Sequence, residues 1–403
     1  GVNGTSTILE RLSASETVSA ARAEALGALG RHALEKGDFE DAERTLEQAG
    51  ATWTRLGKDK EQGTGLIFQA IAAQRQGKLE QAEHLFTEAG EANRRAGHRL
   101  MAIISDVNRR LTQYQRGSLN GVEQGLIRAI HQLELLEAVN QAHQTSCILA
   151  SVRYAQGDAA GAIQTQEEVL ARAEPLQYIP VLTMAYPNLA RWHLGQGDFR
   201  SAATLREAWG AMPEAADPSD VVCEQAIFDA YFHGLRGDQE KADALSEEAV
   251  QCVLALKDDR VRVKQIAALS DGLRRHATPK QLDQLDQALN AVTLVGDPIE
   301  KLARDLLVAA IALTKDDADP AKLRDAALAL RTATAAEGRA GRQTLAGWLT
   351  AEAALRAGDT STADDEANRA LAGAVSLQSV WLQLELLGLL ARIHPGDVFD
   401  ERR

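Results

Sequence analysis

The chain has 403 residues, more than one compact core usually holds, so it is either several domains or one elongated array of repeats. Hydrophobic residues at 45 % and charged residues at 25 % are the balance of a folded protein, while aromatics at only 4 % beside abundant Ala, Leu, Glu, Gln and Arg favour helices over strands. A formal charge of −13 opposes approach to a phosphate backbone, which argues against direct nucleic-acid contact, and no apolar run approaches the ~20 residues that span a bilayer.

Residues 1–22 read as a lead-in segment. Gly1 to Thr5 resemble an appended remnant or the start of an excised fragment, and Asn3-Gly4-Thr5 is formally a glycosylation sequon. From residue 23 to 383 the chain repeats itself. A Gly followed by Asp, Lys or Ser stands at Gly37-Asp38, Gly77-Lys78, Gly117-Ser118, Gly157-Asp158, Gly197-Asp198 and Gly237-Asp238, in steps of 40, and returns at Gly358-Asp359. Two degenerate units turning near Thr278-Pro279 and Ala318 to Pro320 fill the gap. That gives nine units, starting near 23, 63, 103, 143, 183, 223, 263, 304 and 344. Leu371 to Ile393 would then supply the last helix and a solvating cap, with 384–403 as the end of that helix and a tail.

Around each turn glycine, taken as position zero, small residues recur. Seven residues before it stand Gly30, Ala70, Ala150, Ala190, Ala230 and Ala351, with Arg110 as the exception. Five after it come Ala42, Ala82, Val122, Ala162, Ala202, Ala242 and Ala363. Twelve after it come Ala49, Ala89, Ala129, Ala249 and Ala370, where Val169 and Trp209 break the series. Small side chains at these offsets let two antiparallel helices approach closely on either side of the turn. The glycine supplies a left-handed cap to the first helix, and the adjacent Asp can cap the second.

This pattern resembles the tetratricopeptide repeat, whose usual period is shorter, and the longer period implies longer helices or linkers. The resemblance implies an all-α fold, a TPR-like α-solenoid forming a right-handed superhelix of about nine helix pairs. The lengthened unit is most similar to the MalT-type sensor domains of signal-transduction ATPase regulators, and less so to the peptide receptors of Gram-positive quorum sensing.

In that family the first helix of each pair lines a concave groove, at offsets −13, −10, −9, −6 and −3 from the turn. Transferred by resemblance, the groove candidates are Gln74, Asn108, Leu111, Tyr114, Gln144, Tyr154, Met184, Asn188, Arg191 and Tyr231. Asn108 and Asn188 share one offset, and a carboxamide that both donates and accepts can hold a peptide backbone. The tyrosines offer flat amphipathic surface, or else inter-helix packing. Arg191 offers a forked donor for a carboxylate or phosphate. Pro187, inside the fifth unit's first helix, is expected to kink it and free a carbonyl on the inward face.

Cys147, Cys223 and Cys252 are odd in number and widely spaced, which reads as three reduced thiols and a cytoplasmic protein. His193 and His233 recur at one offset and read as half-buried packing residues rather than metal ligands. No nucleotide, hydrolase or metalloprotease motif is present, so no enzyme, cofactor or metal is expected. The functional expectation is an effector-sensing module of a larger bacterial regulator that binds a peptide, a partner protein or a small-molecule effector in the groove. A constitutive adaptor without switching is the alternative.

Overall fold

In the computed structural model, residues 18–212, 218–256, 319–335 and 338–395 are described, with scattered single residues between 257 and 318. Every regular element among them is an α-helix. Six consecutive antiparallel pairs come first. They are α1 (Ala20–Lys36) with α2 (Phe39–Arg55), α3 (Asp59–Arg75) with α4 (Leu79–Arg95), α5 (Arg99–Gln115) with α6 (Val122–Leu135), α7 (Val139–Gln156) with α8 (Ala159–Ala173), α9 (Ile179–Gly195) with α10 (Phe199–Gly210), and α11 (Pro218–Leu235) with α12 (Gln239–Ala255). The weak unit expected at 263 lies outside the described residues. From the next weak unit α13 (Pro320–Ala335) is described, followed by the pair α14 (Ala340–Arg356) and α15 (Thr360–Ser376) and a last helix, α16 (Val380–Ile393).

The described chain forms a TPR-like array of helix pairs, and it falls into two compact units that divide at Ile148–Leu149, inside α7. First helices begin at 20, 59, 99, 139, 179, 218 and 340, three to five residues ahead of the expected unit starts. The boundary expected after 22 therefore falls inside α1, and the one after 383 inside α16.

The extra length of the repeat goes into helix and not into linker. Helices α2 to α5 each hold 17 residues, about 25 Å of rise, and are joined by short turns. Twelve of the described turns are closed by one residue in the left-handed region, and Gly121 is a second such residue in the turn between α5 and α6. The twelve are Gly37, Gly57, Gly77, Gly97, Gly117, Glu137, Gly157, Gln177 and Gly197, a step of 20, then Gly237, Gly358 and Gln378. At every one of them the following N–H returns to a carbonyl five residues back, as in Asp38 to Ala33 (2.9 Å), Ala138 to Leu133 (2.9 Å) and Ser379 to Ala374 (3.0 Å). Glu137, Gln177 and Gln378 adopt this conformation without being glycine, at about 1 kcal/mol each, and the closing hydrogen bonds offset that strain.

The expected small residues are the core. Ala42, Ala82, Val122, Ala162, Ala202, Ala242 and Ala363 are all fully buried. Gly30 touches Leu46 so closely that a Cβ there would lie 2.5 Å from Leu46 Cγ. The turn aspartates act as expected in three places: Asp158, Asp198 and Asp359 accept from the N–H of Gly161, Ser201 and Thr362. Asp38 and Asp238 make no such bond.

Neighbouring pairs are tied by polar clasps. Glu43 on α2 accepts from Gln76, Lys78 and Gln81, and Glu83 on α4 accepts from Gln113 and Arg116. Burial pulls the Glu43 carboxyl upward, but its three hydrogen bonds together with the Lys78 charge outweigh that and leave it below the usual range. Near the end, the Arg392 fork grips the buried Glu352 at 3.0 and 2.8 Å.

Two expectations are corrected. Cys223 and Cys252 form a disulfide between α11 and α12, and only Cys147, which is buried, is a free thiol. The two cysteines lie 14 residues before and 15 after Gly237, so an antiparallel hairpin turning there brings them level. The cytoplasmic expectation, which rested on three reduced thiols, loses that basis. The outer face of α16 is also not a solvating cap: Val380 and Leu384 are 38 % and 53 % exposed, and nothing lies within 4 Å of the place a Cβ on Gly388 would take.

In the second unit the chain also folds back on itself. Trp381 Nε1 donates to the carbonyl of Leu194 (2.9 Å), and its ring meets Phe199 edge-on at 5.8 Å. Gln196 Nε2 donates to Gln378 Oε1, and a Cβ on Gly157 would sit 3.0 Å from Ser376 Oγ. The α15–α16 junction thus rests on the turn edge of α7 and α9. No helix among the described residues is long and apolar enough to cross a membrane.

Candidate functional site

The inward offsets sort into two kinds once the helices are packed. At −10 the side chains of Ile67, Val107, Cys147, Pro187 and Ile227 are buried and belong to the core. Pro187 is therefore not on an open face, and the carbonyl it frees does not front a groove. At −13, −9, −6 and −3, by contrast, all ten candidate residues are half-buried, each with part of its side chain open. Other residues at these offsets are buried: Leu194 at −3, under the fold-back contact, Phe228 and Leu349 at −9, and Glu352 at −6.

In the first unit the row is knitted by amides. Gln74 Nε2 donates to Gln115 Oε1 (2.8 Å) and to Thr112 Oγ1 (3.3 Å), crossing from α3 to α5. Thr112 in turn donates to the carbonyl of Asn108 (2.9 Å). The Asn108 side-chain amide has no hydrogen-bond partner among the described residues. Leu111 and Tyr114 lie farther along α5, and Gln144 on α7.

In the second unit Asn188 Nδ2 reaches from α9 to Ser151 Oγ on α7 at 3.4 Å, and Arg191 Nη2 donates back to Asn188 Oδ1 at 3.3 Å. Arg191 is half-buried and forms no ion pair among the described residues. Tyr231 on α11 and Met184 on α9 are half-buried on the same rows. Tyr154 is different: its ring stacks on Trp192, 4.8 Å between centroids and 12° between planes, so its flat face is used inside the protein. Asn108 and Asn188 belong to different compact units.

The paired histidines face the aspartate of their own turn. His193 Nδ1 is 3.7 Å from Asp198 and its Nε2 3.4 Å from Glu167, while His233 Nδ1 is 3.3 Å from Asp238. The hydrogen bonds from Ser201, helped by the nearby His193, hold the Asp198 carboxyl below the usual range. Among the described residues no group of three or more His, Cys, Asp or Glu side chains is placed to hold a metal ion.

The row brings together amides, hydroxyls and one guanidinium without an ion pair among the described residues, groups that can offer hydrogen bonds and charge. The sequence reading missed the Gln74–Thr112–Gln115 lattice, whose signal was Gln and Thr facing one another on successive first helices. It also missed the clasps, whose signal was Glu six residues after the turn at Glu43 and Glu83.

Residues 23–48 match the tetratricopeptide repeat family model. The match spans the α1–α2 hairpin about Gly37. No curated protein matches the sequence. Among solved structures, the P58(IPK) TPR domain is 14 % identical, with 92 % of this chain and 98 % of that one covered, at a TM-score of 0.25. Yeast Tom70 is 11 % identical over 93 % and 96 %, at 0.35. Naa15/Naa10 bound to HypK-THB is 13 % identical over 96 % of this chain and 68 % of that one, at 0.22.

Proposed function

We propose that this chain is a protein-interaction module that takes an acidic, extended peptide segment on the first-helix rows of its second unit. Arg191 carries the reading. It is a half-buried cation whose one hydrogen bond goes to a neutral amide, in a protein of charge −13, so a ligand carboxylate would meet an unneutralised fork. Asn188 and Ser151 stand beside it to hold backbone groups, and Tyr231 to give contact area. An Arg191 without a carboxylate partner also discriminates: a neutral ligand leaves its charge no better paired than water does.

The switching form of this reading, an effector-sensing part of a larger bacterial regulator, is favoured over a constitutive adaptor by one observation. Leu194, whose carbonyl receives Trp381, lies three residues beyond Arg191 on α9. Occupancy beside Arg191 would then bias the fold-back contact.

The test is fluorescence anisotropy with a library of labelled acidic peptides and their Gln-for-Glu counterparts. Arg191→Gln should weaken the acidic binders by about 2 kcal/mol, roughly thirtyfold, with unchanged circular dichroism. Equal affinity of the two peptide sets, or of the two proteins, would refute the reading. Hydrogen exchange at α16 that does not respond to bound peptide would leave the adaptor.

A further inference from the structure

Arg110 stands where the other well-formed units place glycine or alanine, seven residues before the turn. It fits because Gly125 faces it from α6. A Cβ on Gly125 would lie 2.5 Å from Arg110 Nε and 2.9 Å from Cζ, so the guanidinium threads between α5 and α6 with its side chain only 16 % exposed.

Once there, it is poorly satisfied. Its one hydrogen bond runs from Nη1 to Gln113 Oε1 at 3.2 Å, and its Nε is buried with no acceptor. Asp106 is 3.8 Å away, beyond hydrogen-bond reach, and its Oδ1 is already held by Arg109 at 2.5 Å. Glu83 is engaged by Arg116 and Gln113 at 2.6 and 2.7 Å. Arg109 and Arg128 both lie near enough to repel the Arg110 charge. Arg116 is taken up by Glu80 and Glu83, which leaves Asp106 as the one carboxylate paired with Arg109 and Arg110 among the described residues. A guanidinium N–H buried without an acceptor is a cost to the fold that a bound anion would relieve.

We propose that Arg110, with Arg109 and Arg128, binds a phosphoryl-type oxyanion in the α5–α6 crevice. Several guanidinium forks suit a tetrahedral dianion, whose oxygens point in different directions, whereas a carboxylate saturates a single fork. The site uses residues other than those of the proposed function. Its ligand is either free phosphate or a phosphate monoester on a larger molecule.

The experiment is calorimetric titration of the whole chain with inorganic phosphate, phenyl phosphate and glutamate, at ionic strength held constant with chloride. Saturable binding of at least one phosphoryl probe is expected, with glutamate inert; preference for phosphate or for phenyl phosphate assigns the free anion or the monoester. Arg110→Gln should weaken that binding at least tenfold and Arg128→Gln severalfold, while Arg44→Gln, at an exposed arginine paired with Asp41, changes nothing. Should Arg110→Gln fail to fold, the exposed Arg128 variant carries the test. Heats that match the chloride control, that do not saturate, or that survive Arg128→Gln would overturn the assignment.

Discussion

Trp381 gives its indole N–H to the carbonyl of Leu194, 187 residues earlier in the chain. In a simple solenoid each repeat touches only its neighbours, so this bond adds a contact that nearest-neighbour stacking does not supply. Trp381→Phe keeps a ring against Phe199 but loses the donor, and should cost about 1 kcal/mol. Trp381→Ala also loses the edge contact and should cost about 3 kcal/mol. Urea melts would show it; identical midpoints for all three proteins would mean the contact is absent in solution.

The Cys223–Cys252 bond closes the open end of the α11–α12 hairpin, with 29 residues of sequence separation. Chain entropy puts its contribution at roughly 3–4 kcal/mol for a loop of that size. The native protein should weigh two hydrogens less than its reduced form, and Cys223→Ser/Cys252→Ser should melt earlier. A native mass that retains both hydrogens would remove the bond.

Gly30→Ala adds one methyl where Leu46 Cγ stands 2.5 Å off and Leu46 is buried. Overpacking there should destabilise the first pair by about 1–3 kcal/mol. Gly50→Ala has open space and should stabilise its helix slightly. Equal effects at the two sites would contradict the close approach.

Asp198 caps α10, and its bonds to Ser201 lower its pKa, as does the nearby His193. Because the folded-state value lies below the unfolded one, the stabilisation is present above the ordinary carboxylate range and is lost as pH falls through the depressed folded value. Asp198→Ala should therefore cost about 1 kcal/mol at neutral pH and nothing in strong acid. A difference from wild type that persists in strong acid would point to packing and not to charge.

Much of the fold was legible because glycine and alanine mark where backbones must turn or touch. Ala42 and Ala82 could be named as contacts from spacing alone. Three of the twelve turns were not legible, since Glu137, Gln177 and Gln378 take the left-handed conformation without advertising it. The disulfide was overlooked because separation along the chain was read where distance from Gly237 mattered. The groove rows do not hold at −10, where Val107 and Cys147 pack inward, and at −9 the rule gives the buried Phe228 as well as the half-buried Asn108 and Asn188; an offset rule cannot separate two directions one residue apart on a helix. The pairing of Arg110 with Gly125 was half visible, as an exception to a rule, without its compensating glycine.

The constant metre of the chain has an evolutionary corollary. From Gly37 to Gly197 left-handed residues fall every 20 positions, and two such steps restore the direction of travel. Excising 40 residues would return each later side chain to an equivalent neighbour, whereas excising 20 would turn the outward rows toward the core. The gene can grow or shrink by whole hairpins at little cost to its folding, and by single helices hardly at all.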